Sequence, residues 1–119
     1  VQLVYEAEQR ELDHHDLLEE QVVEPDDYTR DLVEGVGREQ VAIDDLLRRF
    51  ATDWPLERMA ALDRAVLRIG VYELCHRPEV PTGVVLNEAV ELANAYATDD
   101  SGRFVNGVLA AIAREVRTA

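Results

Sequence analysis

The residues whose types could do chemistry stand as adjacent pairs: His14 with His15, Cys75 with His76, Asp26 with Asp27, and Asp99 with Asp100. On a helix, neighbouring side chains point about 100° apart, so neither histidine pair can converge on one ion. No further His or Cys stands at ligand spacing from them. Cys75 falls on an apolar helical face, where a thiol is expected to be buried and inert. Both aspartate pairs precede helical segments, which makes helix capping and dipole compensation their expected work rather than acid–base chemistry. The chain has no GxGxxG, P-loop or GxSxG pattern, and its lack of lysine removes a Schiff base or a P-loop ammonium. The expectation is a protein that is not an enzyme, with no metal site and no cofactor.

A chain of 119 residues with 47% hydrophobic residues is expected to form one globular domain over 1–119. No apolar run is long enough to cross a bilayer and no cleavable leader pattern is present, so the expected location is the cytoplasm. The single cysteine agrees with a reducing compartment. Twenty-five acidic residues against twelve arginines give a net charge of −13, which should repel nucleic acid unless the charges are segregated. They are: residues 1–60 hold 17 acids and 6 arginines, a balance of −11, and residues 61–119 hold 8 and 6, a balance of −2. Val1 opens on a helical pattern already under way, so a preceding segment is expected to be missing.

The apolar periodicity throughout is that of helices. Val1, Val4, Tyr5, Glu8 and Leu12 read as the tail of a first helix, followed by an acidic loop over 13–27 that carries a short helix. From Tyr28, the stripe of Leu32, Val36, Ile43, Leu47 and Phe50 predicts a helix that kinks or restarts at Gly35 and Gly37. Asp44 with Arg48, and Asp45 with Arg49, stand four apart in the favourable orientation of a solvated face. Residues 56–77, apolar on nearly two faces, belong in the middle of a bundle and end at Pro78 and Pro81. Val85, Ala89, Leu92 and Tyr96 form a further amphipathic helix, with Glu88 and Glu91 facing water. A last helix, capped by Asp99, Asp100 and Ser101, carries Phe104, Val105, Val108, Leu109, Ile112 and Val116. With no strand pattern anywhere, the expected fold is all-α, a compact bundle of about six to seven helices.

The wording of the second half is more specific. The run from Leu62 to Leu74 (LDRAVLRIGVYEL), then Val80-Pro81, then Asn87 to Ala93 (NEAVELA), then Asp100-Ser101 leading into Phe104 to Leu109 (FVNGVL) resembles, in order, the motifs of the NusB family of transcription antitermination factors. The resemblance is dense over 54–112 and rests elsewhere on helix layout and on Val1-Gln2 followed by Tyr5. Residue by residue the motifs also have a packing reading. Gly107 is expected to let another helix approach and Asn106 to bond at that contact, because glycine costs about 1 kcal/mol in a helix. Asn87 and Glu88 are expected to cap and position a turn. Phe104, at a helix start beside Arg103, suits either the core or a platform for an unstacked base near a phosphate-binding corner.

The resemblance implies an adaptor that binds single-stranded boxA RNA together with the ribosomal protein NusE within an RNA polymerase antitermination complex. It carries an RNA-contacting role to Arg103, Phe104 and Asp100, and a NusE-facing role to Tyr5, Asp63 and Asp100, with Asp63 offering a carboxylate to a basic partner. Arg64 and Arg68, one turn apart, are expected mainly to solvate their helix. Family members carry an arginine-rich start to the first helix, and without it the chain alone should bind boxA weakly. The acidic stretch from Glu19 to Asp27 has no counterpart in the family pattern. Monomer and homodimer both stay open. So do two alternatives: the NusB-like domain of an RNA cytosine methyltransferase, and a helical protein–protein adaptor without an RNA role.

Overall fold

The computed structural model describes residues 2–10, 27–51, 54–96 and 99–117. Among the described residues there are six α-helices and no strand: α1 (Gln2–Arg10), α2 (Asp27–Arg38), α3 (Gln40–Phe50), α4 (Ala61–His76), α5 (Thr82–Tyr96) and α6 (Asp99–Val116), with a 3₁₀ turn over Leu56–Arg58. The all-α bundle expected from periodicity is therefore observed. The acidic stretch up to Asp26, with His14 and His15, lies outside the described residues.

Helix α4 packs against each of the other five helices, and its residues Ala65 to Leu74 are all buried. Its two apolar faces have partners on both sides, which is why it can be apolar nearly all round. Leu67, Val71, Leu109, Ile112, Leu47 and Val36 form the centre of the core with Tyr72. The long periodic segment restarts, as the glycines predict, but at Glu39, which leaves the helical backbone for one residue at φ −101°, ψ 13°. Gly35 has a different reason to be glycine: a Cβ there would overlap the ring of the buried Tyr72. The helix expected over 56–77 is two elements, because Pro55 and Ala60 take extended backbone with ψ of 142° and 139° and isolate a single 3₁₀ turn.

At the other end of α4, the residue before Pro78 leaves helical geometry, Arg77 standing at φ −129°, ψ 68°. The carbonyls there are gathered by one side chain from just past α6's end. Arg117 donates from Nε to Leu74 O (3.0 Å) and from Nη2 to Glu73 O (3.0 Å) and Arg77 O (2.8 Å). Its Nη1 donates to Val80 O (2.6 Å) and Thr82 Oγ1 (3.2 Å). A single cation thus terminates α4, holds the turn and anchors the start of α5, where helix carbonyls carry partial negative charge. Cys75, expected inside the core, is exposed near this end, although the protein around its sulfur pushes the thiol pKa up. No helix among the described residues is long and apolar enough to cross a membrane.

Candidate functional site

Arginine placement divides the surface into cations already engaged and cations available. Arg68 is buried on α4 and meets Asp44 of α3 through two parallel bonds, Nε to Oδ1 at 2.9 Å and Nη2 to Oδ2 at 3.0 Å, while its Nη1 reaches Glu8 Oε2 at 3.0 Å. Arg64 bonds both oxygens of Glu8 and the carbonyls of Leu56 and Met59 at 3.0 and 2.8 Å. These two arginines do not solvate their helix, as the sequence reading had it. They fasten α1, α3 and the 3₁₀ turn to α4, and Asp44 is held by Arg68 rather than by its sequence neighbour Arg48. Arg48 turns instead to Asp45 and Glu57, and Arg49 to Glu115. Arg77 bonds Asp31, with Nε to Oδ2 at 2.7 Å, and lies over the Tyr72 ring.

Arg103 belongs to the second group: like Arg58 and Arg114 it is exposed and makes no hydrogen bond or ion pair among the described residues, and it stands in the first turns of α6. Asp100, also exposed, and Phe104 lie three residues before it and one after, so Asp100 neighbours both on the helix surface. Phe104 is half-buried against the core cluster, which combines the two readings left open for it: one part of the ring packs, the other reaches solvent. The structure does not bring Asp63 to the surface in the same way. Tyr5 is half-buried on α1 against the core.

Asp63, expected to offer a carboxylate to a partner, is enclosed in the chain by itself. It is buried in the first turn of α4, and Ser101 Oγ donates to its Oδ2 at 3.3 Å. Its Oδ1 is closed off from solvent without a hydrogen bond. Burial pushes the Asp63 carboxyl above the usual carboxylate range, with the Ser101 bond opposing. Ser101, expected as an N-cap, therefore ties the starts of α4 and α6 together. A second buried carboxyl, Glu73, is also raised by burial and accepts from Tyr28 Oη at 2.5 Å.

Beside Arg103 runs an open groove of about 510 Å³ between α5 and α6, lined by Asn87, Asn94, Asn106 and Arg103 over a floor that includes Leu86 and Val90. Sequence reasoning missed it, because it assigned Asn106 and Gly107 to a helix contact. Both are exposed, and a Cβ on Gly107 would meet nothing within 4 Å. Asn87 likewise caps no turn; it is exposed in the middle of α5 and donates to Glu91 Oε1 at 3.4 Å. Polar and glycine residues that a helix disfavours, left without an internal role, were the available signal for a surface site.

A family model described as the NusB family matches residues 1–114. The chain is 51% identical over 119 residues to the transcription antitermination protein NusB of Saccharopolyspora erythraea, covering 95% of this chain and 80% of that protein. Among solved structures it is similar to NusB of T. maritima, with a TM-score of 0.86 and 35% identity over 96% of this chain and 84% of that one. It is also similar to a chain of the crystal structure of the antitermination factors NusB and NusE in complex with double-stranded RNA, with a TM-score of 0.82 and 29% identity over 95% and 89% of the two chains. With motif order, helix layout and these similarities in agreement, the chain belongs to the NusB family.

Proposed function

We propose that this chain is a transcription antitermination adaptor that binds boxA RNA jointly with NusE in the cytoplasm and makes or breaks no bond itself. The observation that carries the reading is Arg103 in the first turns of α6, without a partner among the described residues and flanked by Asp100 and the half-exposed Phe104, in a chain of net charge −13 whose core-facing Arg64 and Arg68 are engaged by carboxylates and carbonyls. A guanidinium next to an aromatic edge suits a phosphate beside an unstacked base. The solved relative with NusE and RNA supports the same pairing of partners. Asp100 stands where it can face both partners, and Tyr5 on α1 faces NusE. Asp63 acts from behind, holding the start of α6 through Ser101.

The test is a titration of boxA RNA and of a scrambled sequence against the protein with NusE present, at stated salt, repeated with Phe104→Leu. The leucine keeps the packing of Phe104 and removes its aromatic face. Binding that prefers boxA, and that weakens in the variant with the helical fold intact, is the expected outcome. Equal binding of both RNAs by the parent protein would favour a protein–protein adaptor without an RNA role.

A further inference from the structure

We infer that the groove between α5 and α6 reads the bases of an unpaired RNA strand, with Asn87, Asn94 and Asn106 as the base-recognising side chains and Arg103 holding the adjoining phosphate. This rests on the RNA-binding reading above and goes past its corner at the start of α6. In a protein with 25 acidic residues, a concavity of about 510 Å³ has no carboxylate among the described residues that line it. Three carboxamides and one guanidinium supply its polar groups instead. Glu91, the acceptor of the Asn87 bond, lies outside the lining.

A carboxamide offers a donor and an acceptor side by side, the pattern with which asparagine recognises a base edge, above all that of adenine. The acids that border the groove, Glu91 and Asp100, stand outside its described lining, so a basic protein face would meet them only at the rim. Asn87 and Asn94 are seven residues apart on one helix, about 10 Å along its axis, a span of roughly three nucleotides at about 3.4 Å each. The half-buried Leu86 and Val90 give the floor apolar surface on which base faces can rest. Gly102 is buried under Asn94 and a Cβ there would overlap the Asn94 carboxamide, so the glycine is what lets that group lie against α6. Gly83, at the groove's edge, is exposed and has nothing within 4 Å of a Cβ position. No packing demand in the fold explains it, and it leaves the groove unobstructed.

The experiment measures boxA and scrambled RNA binding by the full chain with NusE, for the parent and for Gly83→Leu, Asn94→Ala, Asn106→Ala and Arg103→Ala, with circular dichroism and thermal midpoint recorded for each. Gly83→Leu places a side chain at the groove's edge from a position where a Cβ meets nothing, and is expected to weaken boxA at least roughly 10-fold with the midpoint unreduced. The asparagine variants are expected to lose preference for boxA over scrambled RNA by roughly 5- to 100-fold, with an unchanged salt dependence. Arg103→Ala is expected to weaken both RNAs alike and to lower the log–log salt slope by about 0.7. If the parent prefers boxA while Gly83→Leu and both asparagine variants match it in affinity and preference, the groove inference is overturned and the adaptor reading survives. Equal loss on both RNAs in the asparagine variants would also overturn it, since the groove would then hold backbone and not bases. Loss of NusE binding without RNA in Gly83→Leu would assign the groove to the protein partner instead. A parent without preference overturns the adaptor reading and this inference together.

Discussion

On α4 both guanidiniums face the fold, Arg64 and Arg68 clamping Glu8 and Asp44, and just past its end Arg77 clamps Asp31. On the first turns of α6, Arg103 has no such partner among the described residues, and the groove beside it carries carboxamides and no carboxylate. The two regions have similar residue types within one bundle, yet one is saturated and the other is open. Saturation is what the fold needs, because a charge taken out of water must be matched by another. An open set of polar groups contributes nothing to the fold and so marks a surface kept for something outside it.

The largest effect expected from breaking that contrast is on Arg68. Arg68→Ala leaves Asp44 buried with no counter-charge, and removal of one partner of a buried pair costs about 3–5 kcal/mol. Arg103→Ala, on an exposed site without partners, should change stability by less than about 0.5 kcal/mol. Urea unfolding of the two variants side by side checks this. A similar small change in both would mean that the α4 cluster is not the structural clamp described above.

Much of the bundle was legible from apolar spacing alone, because a 3.6-residue period is set by which side chains must leave water. The restart near Gly37, the central place of α4 and the stop before Pro78 all follow from local rules. The arginine network did not, because Asp44 satisfies a local pattern with Arg48 while its actual partner is 24 residues away. A signal was there: Glu8 sits on the apolar stripe of α1, Asp44 stands beside the buried Ile43 and Leu47, and Arg68 interrupts the apolar helix α4. Charges on faces that must be buried imply one another. Of the candidate site, Arg103 and Asp100 came from motif wording and are exposed, whereas the amide groove was hidden because spacing cannot tell an empty helix face from a packed one. Asp63 shows the same limit in reverse, since an acid in a helix's first turn reads as solvated until the neighbouring helix is placed over it.

Glycine gives a second, smaller version of the contrast. Gly35→Ala pushes a methyl into the Tyr72 ring, which is buried and hydrogen-bonded with Asp31 and Arg77, so it cannot swing aside. Overpacking of this kind costs about 1–3 kcal/mol. Gly107→Ala meets nothing and should instead stabilise α6 by up to about 1 kcal/mol, the helix preference of alanine over glycine. Thermal midpoints that move in opposite directions are the expected result, and a loss at both positions would show that Gly107 has an internal packing role after all.

The smallest effect lies at the seam between the two regions, where Asp63 at the start of α4 meets Ser101 at the start of α6. Burial raises the Asp63 carboxyl, so between its ordinary range, near about pH 4, and its raised folded value the native state binds the proton more tightly than the unfolded chain. The sign follows from linkage: stability falls as pH rises wherever the native state holds more protons. At neutral pH the cost of the charged, half-satisfied carboxylate is fully present, and it is relieved as pH drops through the raised value. Asp63→Asn cannot titrate and lacks this gain, while contributions common to both proteins, such as that of the raised Glu73, cancel in the difference. The wild type should therefore gain on Asp63→Asn between neutral pH and the ordinary carboxylate range, at about 1.4 kcal/mol for each pH unit the carboxyl is raised. Unfolding curves collected across that interval decide it, and a constant gap between the two proteins would mean that Asp63 titrates as it does in the unfolded chain and that the seam is open to water.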